Sequence, residues 1–338
     1  MDPPIEPMLA KVADEIPPGG PWLYEPKWDG FRALVFRKGR DVLIQSRDLN
    51  PLDRYFPELH ALFLERLPAG CVLDGEIVIA GPRGLDFDAL QMRLHPAASR
   101  VEKLAAETPA AFVAFDVLAV RGRSVMARPQ AARREALERL LSKARAPLHL
   151  TPMTRDRTVA LDWLARFEGA GLDGVIAKHA DFAYRPGERA MIKVKHVRTA
   201  DCVVTGLRRH KSGADAVGSL QLALCGPGGK ELVPIGVVSA FPMETRRRLA
   251  RELAPLLTKG RIEGKQSRWN AGRDASWEAL RPTRVCEVKY DHLQGDRFRH
   301  PAQFLRWRPD KAPGDCRYDQ LEVTTPYELA KVFGAGRR

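Results

Sequence analysis

Long hydrophobic runs are missing from this chain of 338 residues, and no stretch approaches the roughly 18 apolar residues that a membrane-spanning helix needs. The opening MDPPIEPMLA has no basic segment followed by an apolar one, so a secretory leader is not expected. A soluble, cytoplasmic protein is the expectation. Cysteines are few and scattered. Cys71, Cys202, Cys225, Cys286 and Cys316 form no C-x-x-C pair, which argues against a structural zinc site or a disulfide framework. They read as small buried or semi-buried residues in a reducing compartment. No internal repeat or collagen-like period is present, and a hydrophobic content of 44 % is enough to bury a core, which excludes a disordered chain. The length fits two domains.

Charge is present in excess of one sign. There are 55 Lys and Arg against 42 Asp and Glu, a net charge of +13. Residues 1–198 hold 30 basic and 26 acidic residues, whereas residues 199–338 hold 25 and 16, so the excess concentrates in the shorter part. Arg208-Arg209-His210-Lys211, Arg246-Arg247-Arg248 and Arg297-Phe298-Arg299-His300 carry much of it. Such a concentration is the footprint of a polyanion-binding surface, although a solvated basic face would read the same way.

Local patterning divides the chain at the same place. Phe31–Phe36 and Asp41–Gln45 read as strands joined by Arg37-Lys38-Gly39-Arg40, and Pro57–Leu67 as a helix stopped by Pro68. Val72–Ile79 and Phe112–Leu118 are further strands, followed by helices over Arg128–Ala144 and Val159–Phe167 and strands at Val175–Lys178 and Met191–Lys195. This is a mixed α+β pattern. Beyond Arg198, five strands are expected at Cys202–Leu207, Val217–Leu224, Leu232–Val238, Val285–Tyr290 and Gln303–Trp307, with one helix, Glu244–Leu257, before the fourth. Five strands so interrupted match a small barrel of the oligonucleotide-binding (OB) type. The stretch after Asp319 is weakly patterned. The expected division is 1–198, 199–320 and a tail, 321–338.

Two glycine-rich segments are decoys. Gly169-Ala170-Gly171-Leu172-Asp173-Gly174 spells G-x-G-x-x-G but follows a helix and enters a strand, the reverse of a dinucleotide fingerprint. Gly226-Pro227-Gly228-Gly229-Lys230 lacks the distant glycine and the Ser or Thr of a phosphate loop and reads as a barrel hairpin. His210, His292 and His300 have no metal-ligand spacing.

The segment Glu25-Pro26-Lys27-Trp28-Asp29-Gly30-Phe31-Arg32 places a lysine, an aspartate and an arginine around a turn-permitting glycine, on what reads as one short loop. Alone it could be an exposed lysine beside an ordinary turn. It is followed in order by Ser46-Arg47-Asp48, Asp74-Gly75-Glu76, Phe115-Asp116, Asp173-Gly174-Val175-Ile176-Ala177-Lys178 and Lys193-Val194-Lys195. Each sets polar or charged residues at or within an apolar strand. Lys193 and Lys195, two apart, leave the same face. If buried they demand an anionic partner such as a polyphosphate; if solvated they demand none.

This ordered set resembles the covalent nucleotidyltransferases and, within them, the ATP-dependent DNA ligases, most closely the compact bacterial repair ligases. The resemblance runs from Glu25 to Lys195 and ends in the barrel at Arg306-Trp307-Arg308-Pro309-Asp310-Lys311. It implies a nucleotidyltransferase domain (ATP-grasp-like, mixed antiparallel sheets with helices) followed by a five-stranded OB-fold barrel. It implies that Lys27 attacks the α-phosphate of ATP to form a lysyl-AMP and release pyrophosphate. An amine attacks only when neutral, and nearby cations such as Lys193, Lys195 and bound Mg²⁺ (or Mn²⁺) favour that form. By similarity Glu25 meets the adenine, Arg32 and Arg47 reach ribose and phosphate, and Glu76 holds the ribose. Phe115 stacks on adenine, unless it is plain core packing. Glu76 and Asp173 would serve a metal, Asp173 standing where the family often carries the longer Glu. Arg308, Asp310 and Lys311 match a motif that orients the departing pyrophosphate, with the barrel closing over ATP and swinging away about a hinge at Val197–Asp201. Only 26 residues precede Lys27, so the large helical clamp of bigger ligases is not expected.

The implied partner is nicked double-stranded DNA bound in a salt-dependent way. A monomer is expected, associated with the nucleoid and with repair proteins. RNA ligases and RNA capping nucleotidyltransferases share the lysine motif and remain alternatives. So does a basic barrel that merely binds nucleic acid, which would need no ordered charges over residues 25–195.

Overall fold

The structure, a computed structural model, describes the chain except residues 83, 197, 227, 228, 230, 265–275, 292, 322–324 and 336–338. It divides into two units, Met1–Lys195 with Thr324–Arg338, and His196–Val323. Among the described residues, no helix is long and apolar enough to cross a membrane. All five cysteines are free and buried.

The first unit is built on two sheets. In one, the strands run Ala10–Ala13, Met191–Val194, Gly174–His179 and Trp22–Lys27, with the last two antiparallel to each other. In the other, the order is Leu148–Leu150, Ala111–Val120, Cys71–Val78, Phe31–Lys38 and Asp41–Ser46. The expected hairpin closes with Lys38 opposite Asp41. Helices Pro57–Arg66 and Gln130–Leu140 put Leu59, Leu62, Phe63 and Leu137 onto the core that the second sheet lines with Val35, Leu73 and Phe112. Burying a side chain of that size contributes roughly 1.5–3 kcal/mol.

In the second unit, all five expected strands are present and close on themselves. Arg198–His210 pairs with Gly213–Cys225, which pairs with Leu232–Val238. On its other side Arg198–Val203 pairs with Val285–Tyr290, which pairs with Gln303–Trp307. A parallel bridge between Val238 and Ala302 joins the two ends. Cys202, Leu220, Leu222, Ile235 and Val288 fill the interior. The strands flanking the glycine-rich segment pair, Cys225 opposite Leu232; residues 227, 228 and 230, on which the hairpin expectation falls, lie outside the described residues.

Several expectations need correction. Glu25 and Lys27 lie on a strand, not a loop; only the turn before Phe31 is loop. The barrel helix is Met243–Leu253 and gives way at Pro255 to a short 3₁₀ turn, after which Leu257 opens a strand. That strand, Leu257–Ile262, and its partner Trp277–Leu280 were not foreseen, because the first shows no buried alternation. A hinge at 197–201 does not hold for its larger part: Arg198, Thr199, Ala200 and Asp201 are laddered to Tyr290, Lys289, Val288 and Glu287. Val197 lies outside the described residues. The unpatterned C-terminal stretch packs into the first unit: Phe333 stacks on Trp28 at 5.1 Å and on His149 at 3.9 Å, and Val332 is fully buried.

Candidate active site

Three strand ends of the first sheet bring unlike charges together. The register sets Lys27 opposite Gly174, and the Asp173 amide donates to the Lys27 carbonyl at 2.9 Å. The two side chains therefore share one edge, with Lys27 Nζ 2.5 Å from Asp173 Oδ2. Lys195, just past the strand Met191–Val194, reaches the same oxygen at 3.0 Å. Gly174 has φ +135°, and a Cβ on it would lie 2.0 Å from the Val194 carbonyl oxygen, so a side chain there would force the strands apart. Burial pushes the Asp173 carboxyl up, but the ammonium groups of Lys27 and Lys195 outweigh it and hold the pKa at about 2. Lys193 is half-buried nearby. Its pKa is lowered by burial first, then by Lys27, Lys195 and exposed Arg47. Lys27, Arg47, Asp173, Lys193 and Lys195 thus form one electrostatic group.

The second sheet supplies the neighbours. Arg32 and Glu76 lie directly opposite each other on adjacent strands. Asp74 grips Arg32 through two bonds, Nε to Oδ1 at 3.0 Å and Nη2 to Oδ2 at 2.6 Å, and Arg32 also donates to the Met8 carbonyl. Tyr184 Oη donates to Asp74 at 2.7 Å and accepts from the Met8 amide at 3.0 Å. Glu76 is only partly exposed, and burial pushes its pKa up to about 8, against the pull of Lys27 and Arg32 and aided by Asp29 and Asp74.

Phe115 stands at a bulge. Asp74 pairs with Asp116 and Gly75 with Ala114, so Phe115 is the extra residue, and bulges re-aim side chains in this way. It belongs to none of the apolar clusters among the described residues. Its ring instead faces cations, Lys178 at 4.8 Å and Arg32 at 5.3 Å. Asp116 turns the other way, into a buried two-point pair with Arg133 at 2.9 and 3.0 Å. Glu25 is buried beside Lys178, 2.7 Å away, and Arg134, 3.6 Å away. Burial raises its pKa in spite of those two cations, and its Oε1 has no hydrogen-bond partner. An amine, a row of cations, an aromatic face aimed out of the core and polar groups beside it suit a planar, anionic, hydroxyl-bearing substrate such as a nucleotide.

The second unit holds its own charged cluster. Arg308 donates through Nη1 to both Asp201 oxygens at 3.0 and 3.1 Å and through Nη2 to Asp310 at 2.8 Å, and Lys311 Nζ meets Asp201 at 2.7 Å. Arg306, by contrast, pairs with Glu287 at the surface. Sequence reading missed Arg134 and Tyr184, quoted Asp74 and Lys178 within motifs without a role, and took Asp201 only as the end of a hinge. A basic or acidic residue inside an apolar strand was the available signal for Lys178, Asp74 and Asp201; Arg134, in an arginine-rich helix, carried none.

The fold and this site define a nucleotide-using enzyme with a barrel, and comparison with known proteins makes the class specific. Residues 7–195 match the model of the ATP dependent DNA ligase domain, and residues 213–311 that of the ATP dependent DNA ligase C terminal region. The chain belongs to the ATP-dependent DNA ligases. It is 53 % identical to DNA ligase C2 of Mycolicibacterium smegmatis over 95 % of each chain. It is 51 % identical to DNA ligase C of Mycobacterium tuberculosis over 98 % of this chain and 97 % of that one. A solved Lig E DNA ligase, 19 % identical, shares the fold with a TM-score of 0.59 over 90 % of this chain and 99 % of that one.

Proposed function

We propose that this ligase seals nicks in duplex DNA through a covalent adenylate on Lys27. The Nζ lone pair bonds to the α-phosphorus of ATP as its proton passes to solvent, and the bond to the bridging oxygen breaks to release pyrophosphate. The adenylate then passes to a 5′-phosphate, and a 3′-hydroxyl displaces AMP to join the strands. The observation that carries this reading is the Lys27–Asp173–Lys195 group at 2.5 and 3.0 Å, set beside Glu76, Arg32 and Phe115.

Asp173 stays ionised at any physiological pH, so it orients the amine and is too weak a base to retain its proton. Lys193, Lys195 and Arg47 supply positive charge for the triphosphate, Arg32 and Glu76 flank the ribose, and Phe115 and Glu25 serve the adenine. Positioning and charge provide most of the rate in phosphoryl transfer. Arg308, Asp310 and Lys311 serve the departing pyrophosphate.

Among the described residues, no three His, Cys, Asp or Glu side chains form a ready metal cage. The donors do suit Mg²⁺ or Mn²⁺ arriving with ATP, since Mg²⁺ takes one or two carboxylates and completes its shell with water and phosphate oxygens. Asp173, ionised, would hold it, joined by Glu76 once the ion displaces the proton that burial keeps on that carboxyl. When bound, such an ion neutralises charge on the phosphates. The proposal extends to a monomer acting on the nucleoid, with DNA repair as its setting.

The test is incubation with ATP labelled in its α-phosphate, followed by denaturation and a nick-sealing assay. Wild type should keep the label and join DNA ends, and Lys27→Ala should do neither. Label retained by Lys27→Ala, or labelling by GTP in place of ATP, would overturn the reading.

A further inference from the structure

We infer that Asp201 is a positioning residue for the adenylation step, the fixed carboxylate that holds Arg308 and Lys311 in working orientation. The inference rests on the role proposed above for that pair. Asp201 lies 107 and 110 residues before its two partners. It is buried, on a strand whose register with Val285–Tyr290 sets it opposite Glu287. Gln320 fastens its backbone from both sides, accepting from the Asp201 amide at 2.8 Å and donating to its carbonyl at 3.1 Å. The carboxylate therefore has little freedom to follow its partners, and the partners must come to it.

Arg308 lies between two carboxylates, Asp201 on Nη1 and Asp310 on Nε and Nη2. The plane of the guanidinium is fixed by this double grip, which a lysine could not reproduce. Among the described residues the Lys311 ammonium bonds to Asp201, and an ammonium has three protons, so it can also serve a second anion. The two cations and two carboxylates are balanced in charge, so the cluster stays ordered without ligand. It still presents donors to a polyphosphate. Groups set in place before the substrate arrives spare the reaction the reorganisation of two long side chains.

Two steps separate this role from a structural one. In single-turnover assays with saturating ATP, Asp201→Asn should slow lysyl-AMP formation by about tenfold or more, the scale of a misplaced positioning group. Sealing of a nick that already carries the adenylate should change by less than about threefold, because that step bypasses pyrophosphate release. Asp201→Glu should recover part of the first loss. Gln320→Ala, which keeps the carboxylate and only loosens its strand, should show the same split on a smaller scale and covers the case in which Asp201→Asn does not fold. Equal losses in both steps, or adenylation at the wild-type rate, would overturn the inference. Lys311→Ala is the control for the underlying reading: if it leaves adenylation unchanged, the role of the pair is wrong and the inference falls with it. If it slows adenylation while Asp201→Asn does not, only the inference fails.

Discussion

Replacing Glu76 by Gln should make the protein more stable, and increasingly so as the pH rises. Its carboxyl has a pKa raised from 4.5 to about 8, burial being the main cause, so the folded chain keeps a proton that the unfolded chain gives up. Below about pH 4.5 both states are protonated, and wild type and variant should unfold alike. Between 4.5 and about 8 only the unfolded wild type ionises, which favours unfolding and lowers wild-type stability relative to the variant. Above about 8 the difference is constant. At 1.36 kcal/mol for each pH unit between the two values, the ceiling is roughly 5 kcal/mol. Solvent reaches this partly exposed group, and screening reduces the expectation to about 2 kcal/mol. With a urea slope of about 2 kcal/mol/M, that is a shift near 1 M in the unfolding midpoint of the first unit. Urea unfolding of both proteins from pH 4 to 9, followed by Trp fluorescence, measures it. A flat difference, or a wild type that is the more stable at pH 8, would refute the reasoning by showing that Lys27 and Arg32 outweigh burial. The same substitution should impair adenylation, the outcome expected of a residue kept for function at the expense of stability.

Other outcomes follow from the packing. Gly174→Ala should destabilise the first unit by more than about 3 kcal/mol, since both φ +135° and the Val194 carbonyl oppose a side chain, and its thermal midpoint and label uptake should fall together. Phe333→Ala removes a ring stacked on Trp28, the residue next to Lys27, and should cost about 2 kcal/mol, less than for a fully buried ring. Its adenylation rate should fall while binding of the barrel to DNA does not, which gel-shift titration checks. Affinity for nicked DNA should drop steeply with salt, as phosphate contacts release counterions, and a salt-independent affinity would contradict the reading of the basic second half.

Much of the fold could be read from apolar patterning. The hairpin strand Phe31–Lys38 declares itself as an apolar run because both its faces are buried, Ala33 and Val35 in one cluster and Leu34 and Phe36 in another, and the five barrel strands because they share one core. The strands Ala10–Ala13 and Leu257–Ile262 do not, since they are largely exposed edge strands held by backbone pairing, the first of them to the distant Met191–Val194. The positively charged half of the site was legible as motifs in fixed order. Its counter-charges were legible only in part: Glu76 and Asp173 stand in the motifs, but Asp201 meets Arg308, and Asp74 meets Tyr184, across more than a hundred residues that only the folded sheets bring together. The bulge that frees Phe115 from the core depends on the register between two strands, which no local pattern specifies.

The central claim is that Lys27 Nζ is the atom that becomes bonded to AMP. Digestion of the ATP-treated wild-type protein and peptide mass spectrometry locate the adenylate directly. The account predicts a single modified residue, Lys27, with Lys193 and Lys195 unmodified; an adenylate on either of those, or none on a protein that still seals nicks, would contradict it.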